Sequence, residues 1–292
     1  MKFVDPTTDI AFKKIFGNEA HKDILIEFLN ETLNLEYRII EIQLLNPYQA
    51  PKLEGLKETT LDIKAKDQHG NEFIVEMQVE KETGFYKRAI YYSSKAYSQQ
   101  LDKAEKYHLL KPVIFLGILD FNVFDHDNYF SRHLILNLEN QQQNLKDLEF
   151  NFIELPKFNK QEHELTSISD KWVYFIKNAS NLDHIPDNAD TDALKQAYQI
   201  AQQHQWTRNE LDVYEYQGLQ IGKIKGAIDT ARGEGKQQGE YEKSRQIAIK
   251  AYQEGMSLEL IAKITDLSIH DLQAICKSGM PVCARAKTGV SE

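Results

Sequence analysis

Cysteine is almost missing from this chain: only Cys276 and Cys283 occur, both near the C-terminus. Two thiols cannot build a disulfide framework, and no Cys/His spacing matches a zinc site. The nine histidines stand singly and read as structural or solvated side chains rather than ligands. Long apolar runs are missing as well. The longest, Val113 to Leu119, falls far short of the roughly 20 residues that a membrane-spanning helix needs, so no membrane partner is expected. Residues 1–10 contain no apolar signal-peptide stretch, which makes a cytoplasmic location the expectation. Positive charge is scarce too. A net charge of −9 argues against a protein that coats nucleic acid nonspecifically, because counterion release requires a basic face. It does not exclude an enzyme whose acidic site is filled by divalent cations and whose basic residues are concentrated locally.

What is present suits a globular protein. The 292 residues, 41% of them hydrophobic, suffice for one sizeable domain with an appendage. A first helix through Ile10, Phe12, Ile15 and Phe16 is capped by Thr7 or Thr8 and ended by Gly17. A second, over 20–33, carries an apolar stripe of Ile24, Leu25, Phe28, Leu29 and Leu33. Strand signals follow at 38–45, 59–65 and 72–79, with turn chemistry at 67–71 making 59–79 a β-hairpin. A long helix over 86–107 is stopped by Pro112, a buried strand spans 113–121, and further strands lie near 133–138 and 148–155. This order implies an α/β core, one mixed sheet flanked by helices, over 1–165. Residues 166–217 read as a helical extension with a polar linker at 178–192. Residues 218–292 hold a helix with small residues every four positions (Gly218, Gly222, Gly226) and a helix-turn-helix-like tail with caps at Ser257 and Ser268. Residues 276–292 are polar and aperiodic.

The hairpin carries the chemistry. Glu76 and Gln78 lie two apart on its second arm, hence on one face, with Met77 on the other. The turn brings Asp62 across from them. Two carboxylates among Leu61, Ile63, Ile74 and Val75 would repel each other and lose solvation. A divalent cation removes both penalties, and Mg²⁺ suits so few hard oxygen ligands. The structural alternative is two carboxylates on a solvated face.

Several landmarks then occur in order: Pro6-Thr-Thr-Asp-Ile-Ala-Phe-Lys-Lys-Ile-Phe-Gly17, Phe28-Leu-Asn30, Leu61-Asp-Ile63, Ile74-Val-Glu-Met-Gln78, Lys87-Arg-Ala-Ile-Tyr-Tyr92, Pro112 with Ile118-Leu-Asp-Phe121, and Glu154-Leu-Pro-Lys-Phe158. With them, the stretch from Asp5 to Phe158 resembles the PD-(D/E)XK nuclease family transposases, also called recombination-promoting nucleases. The resemblance implies a restriction-endonuclease-like core that cleaves double-stranded DNA with Mg²⁺, or Mn²⁺ in its place. It carries the metal carboxylates onto Asp62 and Glu76. Gln78 stands where the family usually has lysine, a variant the family itself shows. An amide can orient a water but supplies neither positive charge nor a base near neutral pH. Compensating charge is expected from Lys87, Arg88 or Lys95, the last two sharing one helix face with Tyr92, and Gln78→Lys is expected to retain or raise activity. Asp9 is the candidate extra carboxylate, ahead of Glu27, and Lys13 and Lys14 join the expected DNA-binding set.

Two rivals stand beside this reading. An RNase H-like triad of Asp62, Asp120 and Glu154 has the right 34-residue step from 120 to 154, but leaves the Glu76/Gln78 pair unexplained. A nuclease fold that has lost catalysis and serves as a DNA-binding or assembly module is favoured by Gln78 and by the acidic charge. In the tail, Ser268 to Lys277 offers few groups for DNA, while Ile269, Leu272 and Ile275 need burial. The C-terminal helices are therefore expected to join a homodimer.

Overall fold

The computed structural model describes residues 2–49, 59–101 and 106–278. The elements run α1 (Asp9–Phe16), α2 (Lys22–Thr32), β1 (Ile42–Leu45), β2 (Tyr48–Gln49), β3 (Thr59–Thr60), β4 (Ile63–Asp67), β5 (Glu72–Gln78), α3 (Phe85–Gln99), β6 (Val113–Leu119), β7 (Phe130–Ile135), β8 (Leu145–Glu154), α4 (Ile168–Asn178), α5 (Asp192–Ala201), α6 (Arg208–Gln253), α7 (Leu258–Thr265) and α8 (Ile269–Ser278). A six-stranded mixed sheet has the order β1-β4-β5-β6-β8-β7. β5, β6 and β8 are parallel neighbours, and the flanking pairs are antiparallel. The expected α/β architecture with a helical C-terminal part is what the chain adopts.

The strands at the sheet's centre are buried on both faces. β6 is buried at all seven positions, as a strand covered by helices on each side must be. Phe73, Val75, Ile114, Leu116, Ile118 and Ile153 share one core with α1, α2, α4 and α5. Ile74, Val113, Phe115, Leu119 and Phe152 face α3 through Phe85, Ala89 and Ala96. Within the larger core, Phe16 lies within 6.5 Å, centroid to centroid, of Phe12, Phe28, Trp172 and Phe175, so one ring ties α1 to α2 and α4.

Several boundaries differ from expectation for physical reasons. The 59–79 segment is not one hairpin. β3 pairs with β2 in a separate two-stranded sheet, the chain bends at Asp62, and only β4 continues against β5. Thr8 caps α1 by position, but its hydroxyl donates to the Asp5 carbonyl instead of accepting from the helix. Gly17 ends α1 without a left-handed turn, and a Cβ there would meet the Lys13 carbonyl at 2.9 Å. α3 stops at Gln99; of the remainder expected to be helical, 102–105 lie outside the described residues. The polar stretch 178–192 is not loose: Ala179 and Ala189 are buried in the main core.

The chain divides into two compact units, Met1–Ile221 and Gly222–Glu292, with the boundary inside α6. In the second unit Ala248, Ala251, Ile261 and Leu272 form a small core. The Ser257 and Ser268 hydroxyls accept from the Leu260 and Asp271 N–H groups, as expected of caps. Leu272 and Ile275 are buried, while Ile269 is exposed. A Cβ at Gly218, Gly222 or Gly226 would meet nothing within 4 Å. Cys283 and the rest of 279–292 lie outside the described residues. Among the described residues no helix is long and apolar enough to cross a membrane.

Phe16→Ala should lower the unfolding free energy by about 3–5 kcal/mol, the usual cost of emptying a packed aromatic site, read by urea denaturation. A loss under about 1 kcal/mol would mean that the ring is not the tie between α1 and the core.

Candidate active site

Along β5, the period of two sends Ile74, Glu76 and Gln78 toward α3, and Phe73, Val75 and Met77 toward the larger core. β4 pairs with β5 in the register Ile63↔Val75, and one residue earlier the ladder stops. There the two carboxylates take over as acceptors. The Asp62 N–H donates to Glu76 Oε1 at 3.1 Å, and the Met77 N–H donates to Asp62 Oδ2 at 2.8 Å. Each acid thus braces the backbone that carries or adjoins the other. On the other side of β5, the partner of Glu76 is Gly117, where a Cβ would meet Phe152 at 3.0 Å and Phe115 at 3.1 Å.

Glu76 is 3% exposed, and its carboxyl is pushed up to about 8, first by burial and then by the charge of Asp62. Asp62 is also raised by burial, against the opposing effects of the Met77 N–H and the Lys13 charge. The charged pair is therefore short of positive charge, although cations stand near. Lys13 Nζ lies 2.5 Å from Asp9 Oδ1 and 3.8 Å from Asp62 Oδ1. Burial lowers the Lys13 value, but the hydrogen bond to Asp9 and the charges of Asp9, Asp62 and Glu76 outweigh it and the net shift is upward. On the α3 side, Gln78 Nε2 donates to Glu76 Oε2 at 3.1 Å, while Arg88 donates to Gln78 Oε1 and to Glu82. Tyr92 is near enough for its hydroxyl to feel Arg88, Glu76 and Asp62, and burial raises it most.

The candidate residues do not all gather here. Asp62, Glu76, Gln78, Lys13 and Arg88 form one connected group, with Asp9 joined through Lys13. Lys14, next in sequence, points elsewhere: its Nζ lies 2.6 Å from Glu210 and 4.4 Å from the Trp206 ring centroid. Lys87 is exposed on α3 and Lys95 half-buried. Glu27 accepts from Trp172 at 3.1 Å and from Thr191 at 2.6 Å, a structural role. Sequence reading missed Glu82 and the Met77 N–H. Neither has a pattern of its own, because each acts only through a contact made by folding.

The triad of Asp62, Asp120 and Glu154 is not assembled as a metal centre. Glu154 is fully buried, with its oxygens taken by the Val123 and Phe124 N–H groups and by Lys157 at 2.6 Å. It staples the loop after β6. Among the described residues no group of three or more His, Cys, Asp or Glu side chains gathers as a metal cluster. What remains is a pair of carboxylates whose charges are only partly compensated, a hard-oxygen donor set that would fit one octahedral divalent cation otherwise held by water and substrate.

Residues 6–231 match the family described as PD-(D/E)XK nuclease family transposase. No curated protein and no solved structure matches the chain.

The raised Glu76 value gives a signed pH dependence. Unfolded, the carboxyl ionises near its ordinary 4.5; folded, it holds its proton to about 8. The metal-free fold should therefore lose stability as pH rises from about 4.5 to about 8, with the penalty complete above that. A divalent cation held by Glu76 would compete with that proton, so any stabilisation by Mg²⁺ should grow across the same window. Melting curves should show this slope, and Glu76→Gln should flatten it and abolish the Mg²⁺ shift. A metal-free melting temperature that climbs with pH in wild type but not in Glu76→Gln would contradict the assignment.

Proposed function

The chain belongs to the PD-(D/E)XK nuclease family transposases, and from that premise we propose that it is a metal-dependent DNA endonuclease that hydrolyses phosphodiester bonds in recombination or mobile-element activity. The observation that carries the reading is the braced carboxylate pair, half-buried Asp62 and buried Glu76, each shifted upward first by desolvation. These two residues would hold Mg²⁺ or Mn²⁺. Such an ion supplies Lewis-acid charge at a phosphate oxygen and activates a water.

The chain's own residues do the rest. Gln78 orients rather than deprotonates, since an amide has no basic site near neutral pH. Lys13, 3.8 Å from Asp62 and 40% exposed in its side chain, is placed to meet a phosphate at the rim of the pair. Asp9 holds that ammonium at 2.5 Å, so its role is orientation of Lys13 rather than direct metal ligation. Lys87 and Lys95 extend the positive surface along α3 for the DNA backbone. Lys14, engaged by Glu210, contributes to packing at the start of α6. The exposed Leu260, Ile264 and Ile269 of the second unit support a homodimer formed through 218–275, which would supply two sites for the two strands of a duplex.

A catalytically silent DNA-binding module is the second reading, favoured by the amide at 78. Supercoiled plasmid separates the two. Nicking and linearisation should require Mg²⁺ or Mn²⁺, stop in EDTA, and fall to background in Asp62→Ala and Glu76→Ala, with light scattering reporting a dimer. Cleavage undiminished in EDTA would sink the metal mechanism, and a monomer that cuts both strands would remove the dimer from the account.

A further inference from the structure

Gln78 lies between the Glu76 carboxyl group and the Arg88 guanidinium. Its Nε2 donates to Glu76 Oε2 at 3.1 Å, and its Oε1 accepts from the Arg88 guanidinium. An amide flipped by half a turn would set its NH₂ against the guanidinium, which offers donors only, so Arg88 dictates one orientation. Arg88 is itself pinned. Its other terminal nitrogen donates to Glu82, and its central carbon stands 5.4 Å from the Phe85 ring centroid and 5.9 Å from that of Tyr92. α3 begins directly after Gly84, whose φ of 83° lets the chain turn from β5 into the helix.

Position 78 therefore admits few residue types. Lysine would place an ammonium against the guanidinium in a half-buried pocket, and glutamate would set a third carboxylate beside Glu76. A carboxamide satisfies both neighbours. We propose that Arg88 is a positioning residue of the Asp62/Glu76 pair: through the Gln78 carboxamide it fixes the Glu76 carboxylate, and its charge excludes lysine from position 78. The proposal rests on the nuclease reading for its catalytic consequence, but not for the coupling of Arg88 to Gln78. It also reverses the expectation that Gln78→Lys preserves activity, since that substitution now meets a cation.

The test is a double-mutant cycle with two readouts, metal-free melting temperature and Mg²⁺-dependent plasmid cleavage, on wild type, Gln78→Lys, Arg88→Gln and the double variant. Each single change should lower cleavage by about 10–100-fold, as losses of supporting contacts around a metal do. Gln78→Lys should also melt several degrees lower. The double variant, freed of the cation clash, should exceed Gln78→Lys in both readouts. Arg88→Lys, which keeps the charge but loses the fork that grips both Gln78 and Glu82, should retain stability while kcat falls and KM holds. Additive effects in the cycle, or Gln78→Lys as stable and active as wild type, would overturn the proposal. If no protein cleaves with any metal, the nuclease reading fails, and the melting cycle still decides the coupling of Arg88 to Gln78.

Discussion

Two carboxylates set side by side in an apolar sheet, Glu76 buried and Asp62 half-buried, repel each other when charged and lose hydration, and the candidate site is organised around that constraint. The chain answers it with backbone donors first: the Asp62 and Met77 N–H groups each bind an acid of the pair. Cations come next. Lys13 approaches from α1, and Arg88 approaches from α3 by way of Gln78. These contacts leave a deficit, visible in the upward shifts of both carboxyls, and that deficit would favour a divalent ion in the proposed metal site.

The apolar packing serves the same place. Phe16, wedged among rings from α1, α2 and α4, fixes the helix that delivers Lys13 to Asp62. Phe85 and Ala89 seat α3 on the sheet, so that Arg88 reaches Gln78. The Glu154–Lys157 staple holds the loop after β6, and the first residue beyond that strand, Asp120, donates its N–H to the Gln78 carbonyl. The backbone of Gln78 is thus fixed by β6 while its side chain is fixed by Arg88.

Much of this was legible in the sequence. The apolar stripes of α1 and α2, the uniform hydrophobicity of β6 and the two-residue spacing of Glu76 and Gln78 each obey a local period, and local periods survive folding. The break at Asp62 did not show, because residues 59–65 alternate smoothly while β3 leaves to pair with β2, a choice made by a distant segment. The divergence of Lys13 and Lys14 was hidden for a similar reason. Neighbours on a helix point about 100° apart, and only the arrival of Trp206 and of Glu210 in the first turn of α6 decides which lysine is diverted. Arg88 was read as one of three sources of compensating charge, on the helix face it shares with Lys95; its hydrogen bond to Gln78 had no pattern of its own, because it is made only when α3 folds back beside β5.

Whether Asp62 and Glu76 hold a divalent ion is decided by calorimetric titration with Mn²⁺ of wild type and Asp62→Asn. The asparagine keeps an oxygen for the Met77 N–H and so preserves the brace, but removes the charge that binds the ion. Wild type should bind one ion per chain, and binding to the variant should weaken beyond detection. Equal affinity in the two proteins would contradict the metal assignment.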